Sequence, residues 1–184
     1  MAYKGKFTTF ENPEKYIGDR DNVIYRSLWE RNVMRWLDEN PNIIEWGSEE
    51  MSVTYDHPVR GGTARYFPDF IFKHIDGTVK VIEVKPFKQT KQPTKPKRQS
   101  RKYIEEMMTY AVNQEKWEAA EKMCKKNNIH FEIWTEIKLK KLGILNWETD
   151  KGILLQESKK SNKPRLQHLN RKKTKPRTRP KRRS

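Results

Sequence analysis

A mixed α/β domain, one sheet flanked by helices, is the fold class this chain predicts. Three observations carry that reading. Helical periodicity runs over 22–40, two strand-forming runs joined by a turn signal lie between 70 and 84, and a second helical pattern over 100–127 leads directly into an alternating strand. Helix, strands, hairpin, helix, strand is an order that a single sheet with helices packed on it satisfies.

Each element has its own justification. Residues 1–20 are polar and basic with scattered aromatics, an N-terminal arm that either wraps or frays. From Asn22 to Asn40, Tyr25, Leu28, Trp29, Val33, Trp36 and Leu37 recur at spacings of three and four, as one face of a helix requires. Asp21 or Asn22 can cap its start, and Asn40-Pro41 ends it. Ile43 to Tyr55 supplies a short strand or two, with alternation over 51–55, and Gly61-Gly62 makes a flexible turn. Phe70, Ile71 and Phe72, then Val79, Val81, Ile82 and Val84, favour pleated sheet, and Asp76-Gly77 between them is a hairpin signal. After Lys85, PFKQTKQPTKPKRQSRK reads as an exposed loop. The second helix, Ser100 to Asn127, places Tyr103, Met107, Tyr110, Ala111, Trp117, Ala120 and Cys124 on its apolar side. Ile129 to Trp134 alternates as a strand, and 136–157 reads as a small helix and a closing strand. The organisation expected is an arm over 1–20, a domain over 21–157 and a disordered tail over 158–184.

Composition narrows the function. With 184 residues the chain suits one domain with a real core, yet hydrophobic residues are only 34% and mean hydropathy is −1.08, so part of it lies outside any core. The net charge is +16, and the stretch from Ser158 to Ser184 holds 13 Lys or Arg and no acid, which leaves +3 for the first 157 residues. Such a cationic, proline-containing tail is disordered alone. Its bland use is solubility or targeting; the use favoured here is binding a polyanion, because cationic blocks hold phosphates without a fold. The lone Cys124 excludes a disulfide framework and reads as a packed core residue in a reducing compartment. No apolar run approaches membrane-spanning length, and Met1-Ala2-Tyr3-Lys4 begins no secretory signal. A soluble intracellular protein with no membrane partner is expected.

The chemistry concentrates at the ends of the hairpin. A buried strand normally excludes charge, because an unpaired ion there costs several kcal/mol. Yet Asp69 opens one arm while Glu83 and Lys85 close the other. Each has a dull reading: Asp69 as a strand-start acid after Pro68, and Glu83 and Lys85 as a wet face opposite Ile82 and Val84. Together they suit metal-assisted phosphodiester cleavage. Mg²⁺ takes hard oxygen ligands, often one or two carboxylates plus water and phosphate. Asp69 and Glu83 supply the carboxylates, and Lys85, two residues on and so on the same face, stands beside them to orient water or steady charge.

Strand parity decides whether this is possible. Opposed residues of an antiparallel pair share a face, and a slip of one residue reverses that. A two-residue turn at Asp76-Gly77 would set Asp69 opposite Val84 and separate the acids. A three-residue loop, Ile75-Asp76-Gly77, sets Asp69 opposite Glu83, with Gly77 at the left-handed position such loops need. An odd loop, or failing that a bulge between Asp69 and Ile75, is therefore expected.

The remaining motifs are bland by comparison. His57, His74, His130 and His168 have no zinc or HNH spacing, and no Gly-rich phosphate loop occurs, so no nucleotide cofactor is indicated. Lys88, Lys91, Lys95, Lys97, Arg98, Arg101 and Lys102 make a cationic segment directly after Lys85. A charge run is usually a solvated face; beside a phosphate-cleaving centre it is read as a grip on the backbone of double-stranded DNA.

Pro68-Asp69 with Glu83-Val84-Lys85 resembles the signature of the PD-(D/E)XK nuclease superfamily. That resemblance implies a restriction-endonuclease-like fold and a Mg²⁺ site, with Mn²⁺ as a substitute. It also brings in Glu30 of YRSLWERNVMRWLDEN as a further metal ligand or orienting acid, against the alternative of a surface glutamate paired with Arg26. MAYKGKF, NPEKY, IYRSLWE, the RYFPDF–IEVKP pair and MTYAVNQEKWEAA, taken in order over roughly 1–136, are similar to the head-completion nucleases of T4-like tailed phages. This implies processing of DNA at the filled head, in the host cytoplasm or on the virion, with phage head, portal or neck proteins as partners. The rival readings are a DNA-binding structural protein of the virion that does not cleave, and a transposon-end or junction-cleaving nuclease.

Overall fold

The computed structural model describes residues 3–145. The elements run β1 (Gly5–Lys6), β2 (Ile24–Tyr25), α1 (Leu28–Glu39), β3 (Ile43–Ser48), β4 (Val53–Asp56), β5 (Thr63–Tyr66), β6 (Phe70–His74), β7 (Val79–Val84), α2 (Arg101–Lys126), β8 (His130–Trp134) and α3 (Glu136–Lys141). A sheet in the order β3-β6-β7-β8 forms the centre. Its first three strands are antiparallel neighbours, and β8 joins β7 in parallel after the α2 crossover, since parallel strands need a long connection. The expected mixed sheet flanked by helices is present. The closing strand sought within 136–157 and the tail over 158–184 fall outside the described residues.

Side-chain alternation along β7 builds two cores. On one face Ile82 and Val84 meet Val33, Met34 and Leu37 of α1 together with Trp46, Phe70, Phe72 and Trp134. On the other, Trp117 and Ala120 of α2 pack with Val53, Tyr55 and Tyr66 of the β4–β5 hairpin and with Phe131 and Ile133 of β8. The whole run Val81–Val84 is buried. The central strand therefore has no wet face, and Glu83 lies inside the second core.

Two expectations need correction. Helix α1 begins at Leu28, with Ser27 as its cap, and not at Asn22. The Glu30 N–H donates to Ser27 Oγ at 3.1 Å and Ser27 Oγ donates back to Glu30 Oε1 at 2.8 Å, a variant of the capping box. Tyr25 continues the apolar spacing but belongs to β2, paired with β1, and Asp21 and Asn22 lie in a 3-10 turn capped by Asp19. The second correction concerns α2. Trp117, Ala120 and Cys124 are buried, but Tyr103, Met107, Tyr110 and Ala111 are only partly so. The main contacts of α2 are with β4 and β8, and full burial along it starts at Asn113.

The N-terminal arm wraps. Phe7 and Tyr16 are buried in the α1-side core, and the Ile17 N–H donates to the Trp46 carbonyl at 3.0 Å along the outer edge of β3. Asp38, in the last turn of α1, accepts the N–H groups of Glu11 at 2.6 Å and Asn12 at 3.1 Å. A buried carboxylate is tolerable there because it collects backbone donors.

The hairpin has the odd parity. Phe70 pairs with Ile82, Ile71 with Val81, Phe72 with Lys80 and Lys73 with Val79, so one further step sets Asp69 opposite Glu83. The His74 N–H reaches the Thr78 carbonyl at 2.8 Å and the Gly77 N–H reaches the His74 carbonyl at 2.9 Å. Three residues, Ile75, Asp76 and Gly77, form the loop, and Gly77 has φ of 84°. A Cβ at Gly77 would meet nothing within 4 Å, so the demand for glycine is purely conformational. Gly77→Ala should therefore destabilise the fold by about 1 kcal/mol, and Gly77→Asn by less, because asparagine tolerates the left-handed region. Urea denaturation midpoints measure this; equal midpoints for parent and alanine variant would show that the left-handed loop is not required.

Candidate active site

Asp69, Glu83 and Lys85 come together at the end of the sheet where β6 begins and β7 ends. Glu83 is 4% exposed, and both its oxygens are held. Lys85 Nζ lies 2.9 Å from Oε1, and the Tyr66 hydroxyl donates to Oε2 at 2.6 Å. Asp69 is partly buried; its Oδ2 accepts the Val84 N–H at 2.7 Å. Its backbone carbonyl accepts the Glu49 N–H at 3.1 Å. No hydrogen bond reaches its other oxygen, Oδ1, among the described residues.

The electrostatics follow from this crowding. Burial, and next the negative charge of Glu83, push the Asp69 carboxyl well above its usual range against the pull of Lys85 and the Val84 N–H. Burial works against the Lys85 ammonium, but Glu83, Asp69 and Glu30 outweigh it and hold its pKa up. The Tyr66 phenol is driven far up by burial and by Glu83, so it stays a donor. Two acids share one ammonium, and the second acid lacks a counter-charge.

That deficit defines what the site can accept. Among the described residues no three acidic, histidine or cysteine side chains converge closely enough to cage a metal ion. A pair of carboxylates with the rest of the shell open fits a cation that keeps several waters and shares its coordination with phosphate, as Mg²⁺ does. It does not fit a tetrahedral zinc cage. A divalent cation at Asp69 and Glu83 would also relieve the repulsion that raises Asp69. Nucleases of this architecture generally use divalent metals.

Glu30 lies near but is engaged elsewhere. Its Oε2 accepts the Arg26 N–H at 2.6 Å and its Oε1 the Ser27 hydroxyl at 2.8 Å. It acts on Asp69 and Lys85 through charge. The Arg26 guanidinium pairs instead with Glu49, a residue at φ of 58°. Lys88, Lys91, Lys95, Lys97, Arg98, Arg101 and Lys102 are all exposed after the site, with Arg101 bonded to Glu105 at 2.9 Å.

Tyr66 is the participant that sequence reasoning missed. It sits on β5, whose pairing with β4 sets Val53 opposite Tyr66 and Asp56 opposite Thr63. Val53 and Tyr55, then Ala64 and Tyr66, alternate on either side of Gly61-Gly62, both at positive φ. That pattern could have identified a second hairpin. Lys116 of α2 lies over both tyrosine rings, 5.7 Å from Tyr55 and 5.4 Å from Tyr66.

Comparison with known proteins adds two findings. The family pattern described as the TnsA-like endonuclease N-terminal domain matches residues 40–136, a span that includes Tyr66, Asp69, Glu83 and Lys85 but not Glu30. The chain is also similar to the head completion nuclease of Enterobacteria phage T4, with 41% identity over 147 residues, 78% of this chain and 97% of that one.

The raised Asp69 carboxyl has a consequence for stability. A folded-state proton affinity above the unfolded one favours folding when the group is protonated, and that contribution is lost as pH rises through the folded value. Asp69→Asn removes the charge and keeps an oxygen for the Val84 N–H. In metal-free buffer this variant should be more stable than the parent at neutral pH, and the gap should close as pH falls below the ordinary aspartate value of about 4. Thermal melts across pH test it; a parent more stable than the variant at neutral pH would refute the account.

Proposed function

The chain belongs to the TnsA-like endonuclease N-terminal family, of the PD-(D/E)XK type, and from that premise we propose that it is a metal-dependent DNA nuclease acting in phage head completion. The observation that carries the reading is the meeting of Asp69, Glu83 and Lys85 at one end of the sheet, with Lys85 Nζ 2.9 Å from Glu83. The phage setting is supported by the name of the relative that is 41% identical. The transposon-end reading shares the chemistry and draws on the family description alone. The non-cleaving structural reading leaves a buried Glu83 without a purpose.

Asp69 and Glu83 are proposed to hold Mg²⁺, with Mn²⁺ as a substitute; when bound it polarises the phosphate and lowers the pKa of water. Tyr66 fixes the rotamer of Glu83 by bonding one oxygen. Lys85, charged because Glu83 and Asp69 hold its pKa up, stands where a phosphate oxygen or the attacking water gathers negative charge. Glu30, bonded at its helix cap, bears on the site through its field or orients a ligand. Lys88, Lys91, Lys95, Lys97, Arg98, Arg101 and Lys102 would follow the DNA backbone away from the cut, where phosphate contacts set register without reading sequence. Phage head, portal or neck proteins are the proposed partners, in the host cytoplasm or on the virion.

Cleavage of linear and circular duplex DNA, with Mg²⁺ or with EDTA, tests the reading directly. Asp69→Asn and Glu83→Gln should each lower the rate by at least about 100-fold, as removal of one transition-state group does elsewhere, while circular dichroism stays unchanged. Lys85→Ala should lose most activity and still bind metal. Wild-type rates in both carboxylate variants would place the chemistry elsewhere.

Deleting 158–184 should weaken DNA binding and flatten its salt dependence, since each neutralised phosphate contributes about 0.9 to the log–log slope on duplex DNA. An unchanged slope would assign the tail to a protein partner.

A further inference from the structure

Two exposed phenylalanines bracket the acidic centre. Phe67 lies two residues before Asp69, and Phe87 two residues after Lys85. They are 43% and 42% exposed. Each has a cation over its ring: Arg65 Cζ is 6.0 Å from the Phe67 centroid, and Lys91 Nζ is 5.2 Å from that of Phe87. Because β6 and β7 are antiparallel and are entered and left at Phe70 and Val84, both rings leave the sheet at the end that holds Asp69, Glu83 and Lys85.

Isolated surface hydrophobics need no explanation, but these two match in position and in chemistry. Both also leave from anchored backbone: Phe67 directly follows Tyr66, the last residue of β5. Arg65 lies on the outward side of β5, whose inward Tyr66 is bonded to Glu83 at 2.6 Å. Phe87 opens a 3-10 turn, Phe87–Thr90, and its N–H is tied to Glu136 Oε2 of α3 at 2.7 Å. An exposed phenyl face with a cation beside it offers a nucleobase a stacking surface and its phosphate a counter-charge. Bases inside an intact duplex already stack on one another, so only unpaired bases reach such surfaces.

We propose that Phe67 and Phe87 are stacking platforms for unpaired nucleotides on the two sides of the cut, so that the preferred substrates are DNAs with single-stranded segments, such as frayed ends, gaps or branch points. The inference rests on the reading of the centre as a DNA-cleaving one. Arg65 and Lys91 then serve the phosphates that flank the stacked bases, and the cationic segment beyond Lys91 serves the duplex arm.

The test uses the full chain in EDTA, where no cleavage occurs, with a labelled oligothymidylate and a blunt duplex of equal length read by fluorescence anisotropy. Phe67→Leu and Phe87→Leu, which keep apolar bulk and lose the ring, should each weaken single-strand binding by about tenfold and leave duplex binding within about twofold. Phe67→Tyr and Phe87→Tyr should bind as the parent does. A single strand carrying 2-aminopurine should lose emission on binding the parent and the tyrosine variants, and less with the leucine variants. Leucine variants that bind the single strand as the parent does, or that lose equal factors on both DNAs, would overturn the proposal and assign the rings to a duplex groove or a protein surface. Mg²⁺ cleavage of the same DNAs separates the two readings. An inactive parent with the stacking pattern intact refutes only the nuclease, and an active parent with no stacking pattern refutes only the platforms.

Discussion

A carboxylate buried in the central strand of a sheet covered on both faces is the constraint around which this structure is arranged. Glu83 cannot be solvated, so every oxygen must find a donor or a cation within the protein. Lys85 supplies the charge from the same strand and Tyr66 supplies a hydroxyl from a hairpin 17 positions away. The β4–β5 hairpin has to pack on the α2 side of the sheet for that bond to exist, and Lys116 of α2 lies over its tyrosine rings. Apolar residues at 66 and 83 would fill the same space more cheaply. Their absence is what stability alone does not explain and what the proposed chemistry does.

The charge distribution has a second layer. A chain of net charge +16 sets two acids, Asp69 and Glu83, beside a single lysine at the proposed place of cleavage. Two carboxylates facing a phosphate repel it, and one lysine does not cancel them. A bound divalent cation would turn the same cluster attractive, and on the proposed reading the exposed lysines and arginines after Lys85 would hold DNA whether or not the cation is present. Residence on DNA and readiness to cut would then be set by different groups.

Much of this was legible in the sequence because it is local. Hydrophobic periodicity located both long helices and the strands of the central sheet, and Glu-x-Lys at the end of one strand fixed a shared face by parity alone. The odd loop length followed from the parity the acid pair requires, with Gly77 standing where a left-handed residue falls. What was missed is non-local or competes with a stronger local signal. Tyr25 keeps the helical spacing of α1, yet the Ser27–Glu30 cap starts that helix later. Tyr66 looks like any strand aromatic until the hairpin folds it over Glu83. Tyr103 and Met107 extend the apolar stripe of α2 past the sheet that would have covered them, and periodicity carries no information on where a neighbour ends. Glu30 was found only through resemblance, and its carboxylate is bonded at the helix cap.

The three-residue loop between β6 and β7 also governs how such a chain can drift over evolutionary time. Its tip is exposed, and at Gly77 no neighbouring atom lies where a Cβ would stand, so packing places little restriction on its length. Parity does. One inserted or deleted residue, uncompensated by a bulge, would turn Asp69 to the opposite face from Glu83, whereas two would restore the pairing. Lengths that preserve the acid pair therefore form a series with a stride of two, and a lineage that moves along it one residue at a time, with no compensating bulge, passes through a form with its carboxylates divided between the faces.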